Sequence, residues 1–464
     1  MNEELQRKYP HLEFNISHFC NVKQEMIFGS DFHSIARKNA LLAIKSKHKI
    51  SDFFYQSNNV IVPDTNNYAY IYDLTHSLGN FLHDIEISHS KERISNKKEA
   101  FGGDFVISRL RSYLKEMAVV PKKKQRQFFS TEYLVYRPKT NLVSSNTLLV
   151  FSLTDKVQKI LKYSQYGTEH PRFYDFVFNE MPLPDCVIKM NSHIDSTMNI
   201  AHKALEQSKA LYKEAQDILY TELGLDPNNP LGEIEKEEEN LSISIQTLQE
   251  SYTQTGRLDA EYYQKKYTKN IEIIKKGKYA KLNELVWIKK SIEPGSKAYK
   301  KSGIPFCRVS NLSVYDIGGY DVFLDRMEFL DTLEELCPSK DTILFSKDGS
   351  VGIAYCIKNN EEIITSSGIL HLSIKDKKVV LPEYLCLVLN SIVVKLQAQR
   401  DCGGSVIEHW RTEEIKNALI PILSENQQNL VNQKITQSFD LRIKAKNLLK
   451  EAIAQVEAKI SAQV

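Results

Sequence analysis

The chain has 464 residues, too many for one ordinary domain and enough for two to four, each burying its own core. Lys+Arg 61 against Asp+Glu 58 leaves a formal net charge of +3, which excludes a uniformly basic nucleic-acid coat and confines any nucleic-acid face to local patches. Seven scattered cysteines with no CxxC pair exclude a disulfide scaffold or zinc module, and no signal-type N-terminus or run of ~18 apolar residues occurs, so a soluble cytoplasmic protein with reduced thiols and no membrane partner is expected.

The first strong pattern along the chain is Asp104 to Val120 (DFVISRLRSYLKEMAVV), a strand-like run, a polar turn and a second strand-like run. Tyr166-Gly167-Thr168 then precedes Phe173 and the segment Met181-Pro182-Leu183-Pro184. After that proline, Ile194, Met198, Ala201, Leu205, Ser208, Tyr212, Ala215 and Leu219 fall at alternating spacings of three and four, the seam of a coiled-coil helix. Gly224 to Gly232 (GLDPNNPLG) breaks the helix, and the acidic run Glu233 to Glu239 reads as a solvated face or linker.

The same order of features then returns. Thr342 to Ile357 (TILFSKDGSVGIAYCI) repeats the strand, turn and strand, with Ser346 lying 238 positions after Ser108. Gly403-Gly404-Ser405 precedes Trp410 and Ile420-Pro421-Ile422, and Gly404 and Pro421 each lie 237 after Gly167 and Pro184. The same offset carries the first seam onto Val431, Ile435, Ser438, Arg442, Ala445, Leu449, Ala452 and Val456, which are apolar or small except at Arg442. Any two amphipathic helices align at some offset, but shared glycine and proline landmarks do not follow from that. The prediction is an α/β chain with an internal repeat: globular domain 1–188, helix 189–225, globular domain 226–424, helix 425–464. A helix of roughly 30 residues is about 45 Å long, so two paired through their seams would space two modules at the scale of one DNA turn, ~34–36 Å.

Each predicted domain carries cations near its central turn. In the first they are Arg109, Arg111, Lys115, Lys122, Lys123, Lys124 and Arg126, with Arg172 following the Gly167 turn. In the second they are Lys300, Lys301, Arg308 and Lys347, with Lys297 beside them and Arg411 after Trp410. Ser350 and Ser405 sit in glycine-rich turns whose N–H groups can hold phosphates, and His409 adjoins them. A lysine cluster alone is as well explained by a solvated loop; its recurrence in both halves favours contact with phosphates or base edges. Trp410 and Phe173 are expected in the core, and Asp348 and Glu408 in structural roles. His170 and His409 have no partnered nucleophile that would make them catalytic.

The second half is similar to the target recognition domains of type I restriction-modification specificity subunits. The matching phrases are GRLDAEYY (Gly256 to Tyr263), GIPFCRVSNL (Gly303 to Leu312), DTILFSKDGSVGIAYCI (Asp341 to Ile357), SSGILHL (Ser366 to Leu372), PEYLCLVLNS (Pro382 to Ser391) and GGSVIEHW (Gly403 to Trp410). The first half resembles the family only through the plan of the repeat and GGDFVISRLRSYL (Gly102 to Leu114). The resemblance implies two target recognition domains on double-stranded DNA, each reading part of a split site. It also implies two long antiparallel coiled-coil helices with a pseudo-two-fold relation, which dock two modification (methyltransferase) subunits and allow restriction (translocase/nuclease) subunits to join. S-adenosylmethionine, ATP and Mg would then serve the partners, and no cofactor, metal or catalytic residue is expected in this chain. The sequence agrees in lacking an NPPY-type motif, GxGxxG and GxxxxGK[ST]. A non-catalytic coiled-coil adaptor, or a specificity subunit serving a fused nuclease-methylase, are the other readings.

Overall fold

Phe105–Ser108 (FVIS) and Ile343–Ser346 (ILFS) are unbroken apolar runs closed by a serine, and both form strands with all four side chains buried, the pattern of a strand covered on both faces. Each is an inner strand of its own four-stranded sheet. The computed structural model describes residues 2–12, 14, 19–22, 26–63, 68–83, 85, 95–235, 243–402 and 408–462. It divides into unit 1, Met1–Ala204 with Ile443–Val464, and unit 2, Leu205–Arg442.

The strands of unit 1 are β1 (Phe54–Ser57), β2 (Val60–Ile61), β3 (Ala69–Tyr72), β4 (Lys97–Ala100), β5 (Phe105–Ser108), β6 (Met117–Val119), β7 (Arg126–Ser130), β8 (Tyr133–Pro138), β9 (Gln165–Tyr166) and β10 (Arg172–Phe173). One sheet has the order β1-β8-β5-β6, antiparallel throughout, with Phe105 opposite Tyr136 and Ile107 opposite Leu134. A second has the order β2-β4-β7-β3, in which β3 and β7 run parallel. Helix Ser145–Ser152 is buried along its whole length, and its N-cap Ser144 accepts a hydrogen bond from the Thr147 N–H. Helix Asp155–Lys162 follows and buries Val157, Ile160 and Leu161.

In unit 2 the strands are β11 (Tyr279–Lys281), β12 (Val286–Lys290), β13 (Ile304–Cys307), β14 (Phe323–Leu324), β15 (Ile343–Ser346), β16 (Ala354–Cys356), β17 (Ile364–Thr365), β18 (Ile369–Ile374) and β19 (Leu419–Pro421). The sheet β12-β18-β15-β16 repeats the order and the antiparallel directions of β1-β8-β5-β6. A three-stranded sheet, β14-β13-β17, has β13 and β17 parallel, and β11 pairs with β19. Helices Pro382–Leu389 and Ile392–Asp401 come next, each beginning 237 positions after its counterpart in unit 1. Proline at the start of the first of them suits a position whose N–H has no helical acceptor. Trp410 and Phe173 are both buried, Trp410 with its ring edge against Phe345.

Both predicted seams are helical: Asn191–Glu222 spans 32 residues and Glu425–Ser461 spans 37. Every seam residue is buried except Leu205 and Arg442, which are half-buried and are themselves related by the 237 offset. The Arg442 guanidinium lies 3.6 Å over the ring of Tyr315, so the one charged seam position is covered by an aromatic face. Within unit 2, Ser208 meets Ser438 (2.9 Å), Glu214 meets Lys434 (2.5 Å) and Glu222 meets Gln427 (2.8 Å). The pairing numbers rise on one side and fall on the other, so these two helix segments run antiparallel. Within unit 1, His193 meets Gln455 at 2.8 Å, and the Glu457 carboxylate accepts from the N–H of Asp155 at the start of helix Asp155–Lys162. Among the described residues no helix is long and apolar enough to cross a membrane, and no cluster of His, Cys, Asp and Glu is placed to hold a metal.

Candidate nucleic-acid interface

In each unit some of the predicted cations lie at the turn of one edge hairpin, β5–β6 or β15–β16. The β5–β6 turn runs from Arg109 to Glu116 and contains a single 3-10 turn at Ser112–Leu114. Arg109 is half-buried, with its guanidinium 3.0 Å from Asp175 and 3.6 Å from Glu132. Arg172 reaches the same Glu132 through Nε (3.0 Å) and Nη2 (2.7 Å), the two-pronged geometry that makes such pairs strong. The hydrogen bond from Arg172, reinforced by the charges of Arg172, Arg109 and Lys98, holds the Glu132 carboxyl below the usual carboxylate range despite its burial. Lys98 is buried under this cluster and donates to the Tyr133 carbonyl at 2.7 Å; burial, then the charge of Arg109, pushes its ammonium down. Arg111 Nη2 lies 3.0 Å from His170 Nδ1, and Lys115 is exposed.

The remaining cations of unit 1 lie along the approach to β7. Lys123 sits 3.8 Å over the Tyr70 ring, and Arg126 is bound to Glu99 at 2.6 Å and stacked on Phe128. Lys122 and Lys124 are not buried and form no ion pair among the described residues.

In unit 2 the β15–β16 turn is Lys347 to Ile353. Asp348 ties it together: its carboxylate takes the Lys347 ammonium at 2.5 Å and His409 Nδ1 at 2.9 Å. Burial alone would raise this carboxyl; the hydrogen bonds and charges of Lys347 and His409 outweigh burial and hold it below its ordinary value. The Gly349 N–H donates to the Glu408 carbonyl and the Trp410 N–H to the Lys347 carbonyl, so the turn and the strand-like 408–410 segment are laced together. Asp348 thus has a structural role, and Glu408 takes part through its backbone carbonyl. Ser350 is exposed and its carbonyl accepts from Ser346 Oγ; Ser405 lies outside the described residues. Arg411 is exposed and held by Glu414 (Nε to Oε1, 2.9 Å). Lys300 and Lys301 are exposed without an ion pair among the described residues, away from this turn at the start of β13, where the Lys300 backbone pairs with Phe323. Arg308 is bound to Asp321 at 2.6 Å.

The turn opens onto a cleft of about 780 Å³ whose lining includes Arg257, Lys290, Lys347, Arg400, His409 and Arg411. Arg257, Lys290 and Arg400 are not among the sequence-derived candidates. Arg257 and Arg400 flank Tyr262, with guanidiniums 4.8 and 5.2 Å from its ring centre, and bind Asp259 and Asp401. Arg257 and Tyr262 both belong to the phrase GRLDAEYY, which was the available signal; Arg400 arrives from a distant helix that carries no such phrase. The cleft is not a bare anion hole, because most of its cations are balanced by a neighbouring carboxylate. Its chemistry is a set of preplaced guanidinium and ammonium donors, which fits phosphate and base-edge recognition.

Comparison with known proteins agrees with this chemistry. Residues 274–457 match the family described as the type I restriction modification DNA specificity domain. No curated protein matches the chain. Similar solved chains include one from work on complex assembly and conformational transition of the type I R-M system (15% identity, 90% of this chain and 98% of that one, TM-score 0.29). Others are the HsdS subunit from Thermoanaerobacter tengcongensis (15%, 90% and 100%, TM-score 0.27) and the type I S subunit from M. genitalium (12%, 90% and 94%, TM-score 0.37). At these TM-scores the three likenesses add no weight. The match over 274–457 covers the β15–β16 turn, the 408–411 segment and most of the second long helix, and it makes that stretch of unit 2 similar to the DNA specificity domain of type I restriction-modification systems.

Proposed function

We propose that the chain recognises a bipartite DNA site through two domains, residues 1–188 and 226–424, and directs adenine methylation or restriction carried out by partner subunits. The observation that carries this reading is the repetition, in units 1 and 2, of one antiparallel sheet whose edge-hairpin turn bears some of the predicted cations. Helical regions 189–225 and 425–464 serve as the spacer, and their outward faces dock two modification subunits and, through them, restriction subunits. Lys122, Lys124, Lys300 and Lys301 supply phosphate contacts at the periphery; the turn carrying Arg111 and Lys115 in unit 1, and Lys347, His409 and Arg411 in unit 2, approach the duplex at the recognised positions. S-adenosylmethionine, ATP and Mg belong to the partners, which perform the bond-making steps.

The test is to co-express the chain with the modification subunit of its own genome and map methylated adenines in the host DNA. A split motif with a fixed gap that vanishes when this chain is deleted is the expected result. A motif confined to one uninterrupted block would overturn the two-domain reading.

A further inference from the structure

Both edge-hairpin turns contain two left-handed residues, but of different kinds. In the β15–β16 turn the left-handed positions are Gly349 (φ 71°) and Gly352 (φ 83°), and a Cβ at either would meet nothing within 4 Å. In the β5–β6 turn, which is one residue longer, the left-handed positions are Arg111 (φ 48°), 238 before Gly349, and Lys115 (φ 53°), 237 before Gly352. Left-handed backbone is disfavoured for residues bearing a Cβ and is held only where the surroundings impose it. The surroundings here do impose it. Arg111 N–H donates to the Pro171 carbonyl, Leu114 N–H to Arg111 and Lys115 N–H to Ser112. Asn80 Nδ2 donates to the carbonyls of Lys115 (2.8 Å) and Met117 (3.2 Å), and Gln165 Nε2 to Ser112 Oγ (2.6 Å). A turn that glycine would form more easily is thus clamped from two sides so as to carry two cations.

Between those cations the chain puts Tyr113 and Leu114 outward, 63% and 38% exposed, while Ser112 and Met117 on either side are buried. Glu116, the carboxylate next to Lys115, is buried and so is not presented at the tip beside the two cations. An aromatic ring and a branched apolar side chain flanked by an Arg and a Lys match what a nucleic acid offers: a stacked apolar base step between two phosphates. Two side chains are too small an area for a protein partner, which needs roughly 800 Å² per side.

Resting on the specificity-subunit reading above, we propose that Arg111–Lys115 is a wedge: Tyr113 and Leu114 enter the duplex at a base step while Arg111 and Lys115 hold the flanking phosphates. Unit 2, with Gly349, Ser350, Val351 and Gly352 at this place, has no such wedge. The wedge therefore specifies positions in one half of the site only.

The experiment uses the complex with its modification partners and three forms of this chain: wild type, Tyr113→Ala with Leu114→Ala, and Arg111→Gly with Lys115→Gly. Methylation mapping is expected to show that the apolar double variant leaves at least one position of one half-motif unspecified, with the other half and the gap unchanged. The glycine variant, on a duplex carrying the wild-type motif, is expected to bind at least 10-fold more weakly with a log–log salt slope shallower by about 2. Its melting temperature is expected not to fall, because glycine suits the backbone. Unchanged motifs and affinities in both variants overturn the wedge and spare the specificity reading. A glycine variant that melts more than about 4 °C lower overturns it too, by making the cations structural. If the wild-type complex imposes no motif at all, the specificity reading falls and the wedge with it.

Discussion

His371 lies in β18 with Nε2 2.8 Å from Thr365 Oγ1, buried between neighbouring strands. Burial, and after it the charge of Lys289, pushes its imidazole from an ordinary value of 6.5 down to about 4. Between those two values the unfolded chain binds a proton that the folded chain does not, so stability falls as pH drops from 6.5 and levels off below about 4. The loss is on the order of 3 kcal/mol. Urea unfolding of unit 2 at pH 7, 5.5 and 4.5 is expected to show this decline, and His371→Gln is expected to flatten it; parallel declines would refute the assignment. A second contrast concerns the cations. Arg109 is tied to Asp175 and Glu132, and its removal leaves a half-buried carboxylate cluster above Lys98. Arg109→Ala is therefore expected to cost about 1–3 kcal/mol of stability, whereas Lys301→Ala leaves stability within about 0.5 kcal/mol and flattens the salt dependence of DNA binding by about one unit. Denaturant melts and binding titrations at several salt concentrations separate the two. That the turns carried the cations was legible in the sequence; which cations were already engaged was not. Glu132 and Asp175 both lie well beyond the hairpin that carries Arg109, and no local spacing announces them.

At the scale of elements, the long helices were the most legible part of the chain, because their seams are set by a period and a period survives divergence. Strand order was not legible: the turn between β5 and β6 showed in the text, but β1 and β8, which complete the sheet, come from segments with no shared phrase between the halves. The helices also carry a difference that periodicity hides. Ser208 and Ser438 are fully buried and hydrogen bonded, with Ser438 Oγ also 2.8 Å from the Ser208 carbonyl. The positions related to them by the 237 offset are Ala445 and Ala201, both buried. A polar pair in one half of a seam and alanines in the other fixes a register that apolar packing alone leaves loose. Ser438→Ala is expected to cost about 1 kcal/mol, and Ser438→Leu more, about 1–3 kcal/mol, through overpacking. Thermal melts of the two variants check the order; a stabilised leucine variant would show that the seam has unused space.

For the whole molecule, the informative fact is that unit 1 is discontinuous. Ile443–Val464 belongs with Met1–Ala204, and it buries Ala445, Leu449, Ala452, Val456 and Ile460 there. The three branched side chains among them contribute on the order of 5–9 kcal/mol, comparable with the full stability of a domain. Deleting residues 443–464 is thus expected to unfold unit 1, at the opposite end of the sequence, and leave unit 2 standing. Hydrogen exchange reads this directly: amides of Phe105–Ser108 lose protection while those of Ile343–Ser346 keep theirs. Protection retained in both would show that unit 1 is complete without the closing helix.

The same discontinuity sets an order of events during synthesis. Unit 2 is one uninterrupted stretch and has all its parts once Arg442 has left the ribosome, but Met1–Ala204 lacks its last helix until Ile443–Val464 emerges. At about 5–20 residues per second, the first-made half waits on the order of 10–50 s while unit 2 is translated. Throughout that interval the unmated seam at Ile194, Met198 and Ala201 is open to any chain nearby, including the closing helix of a neighbouring copy. Polysomes crowded with this message are where a swapped dimer would form.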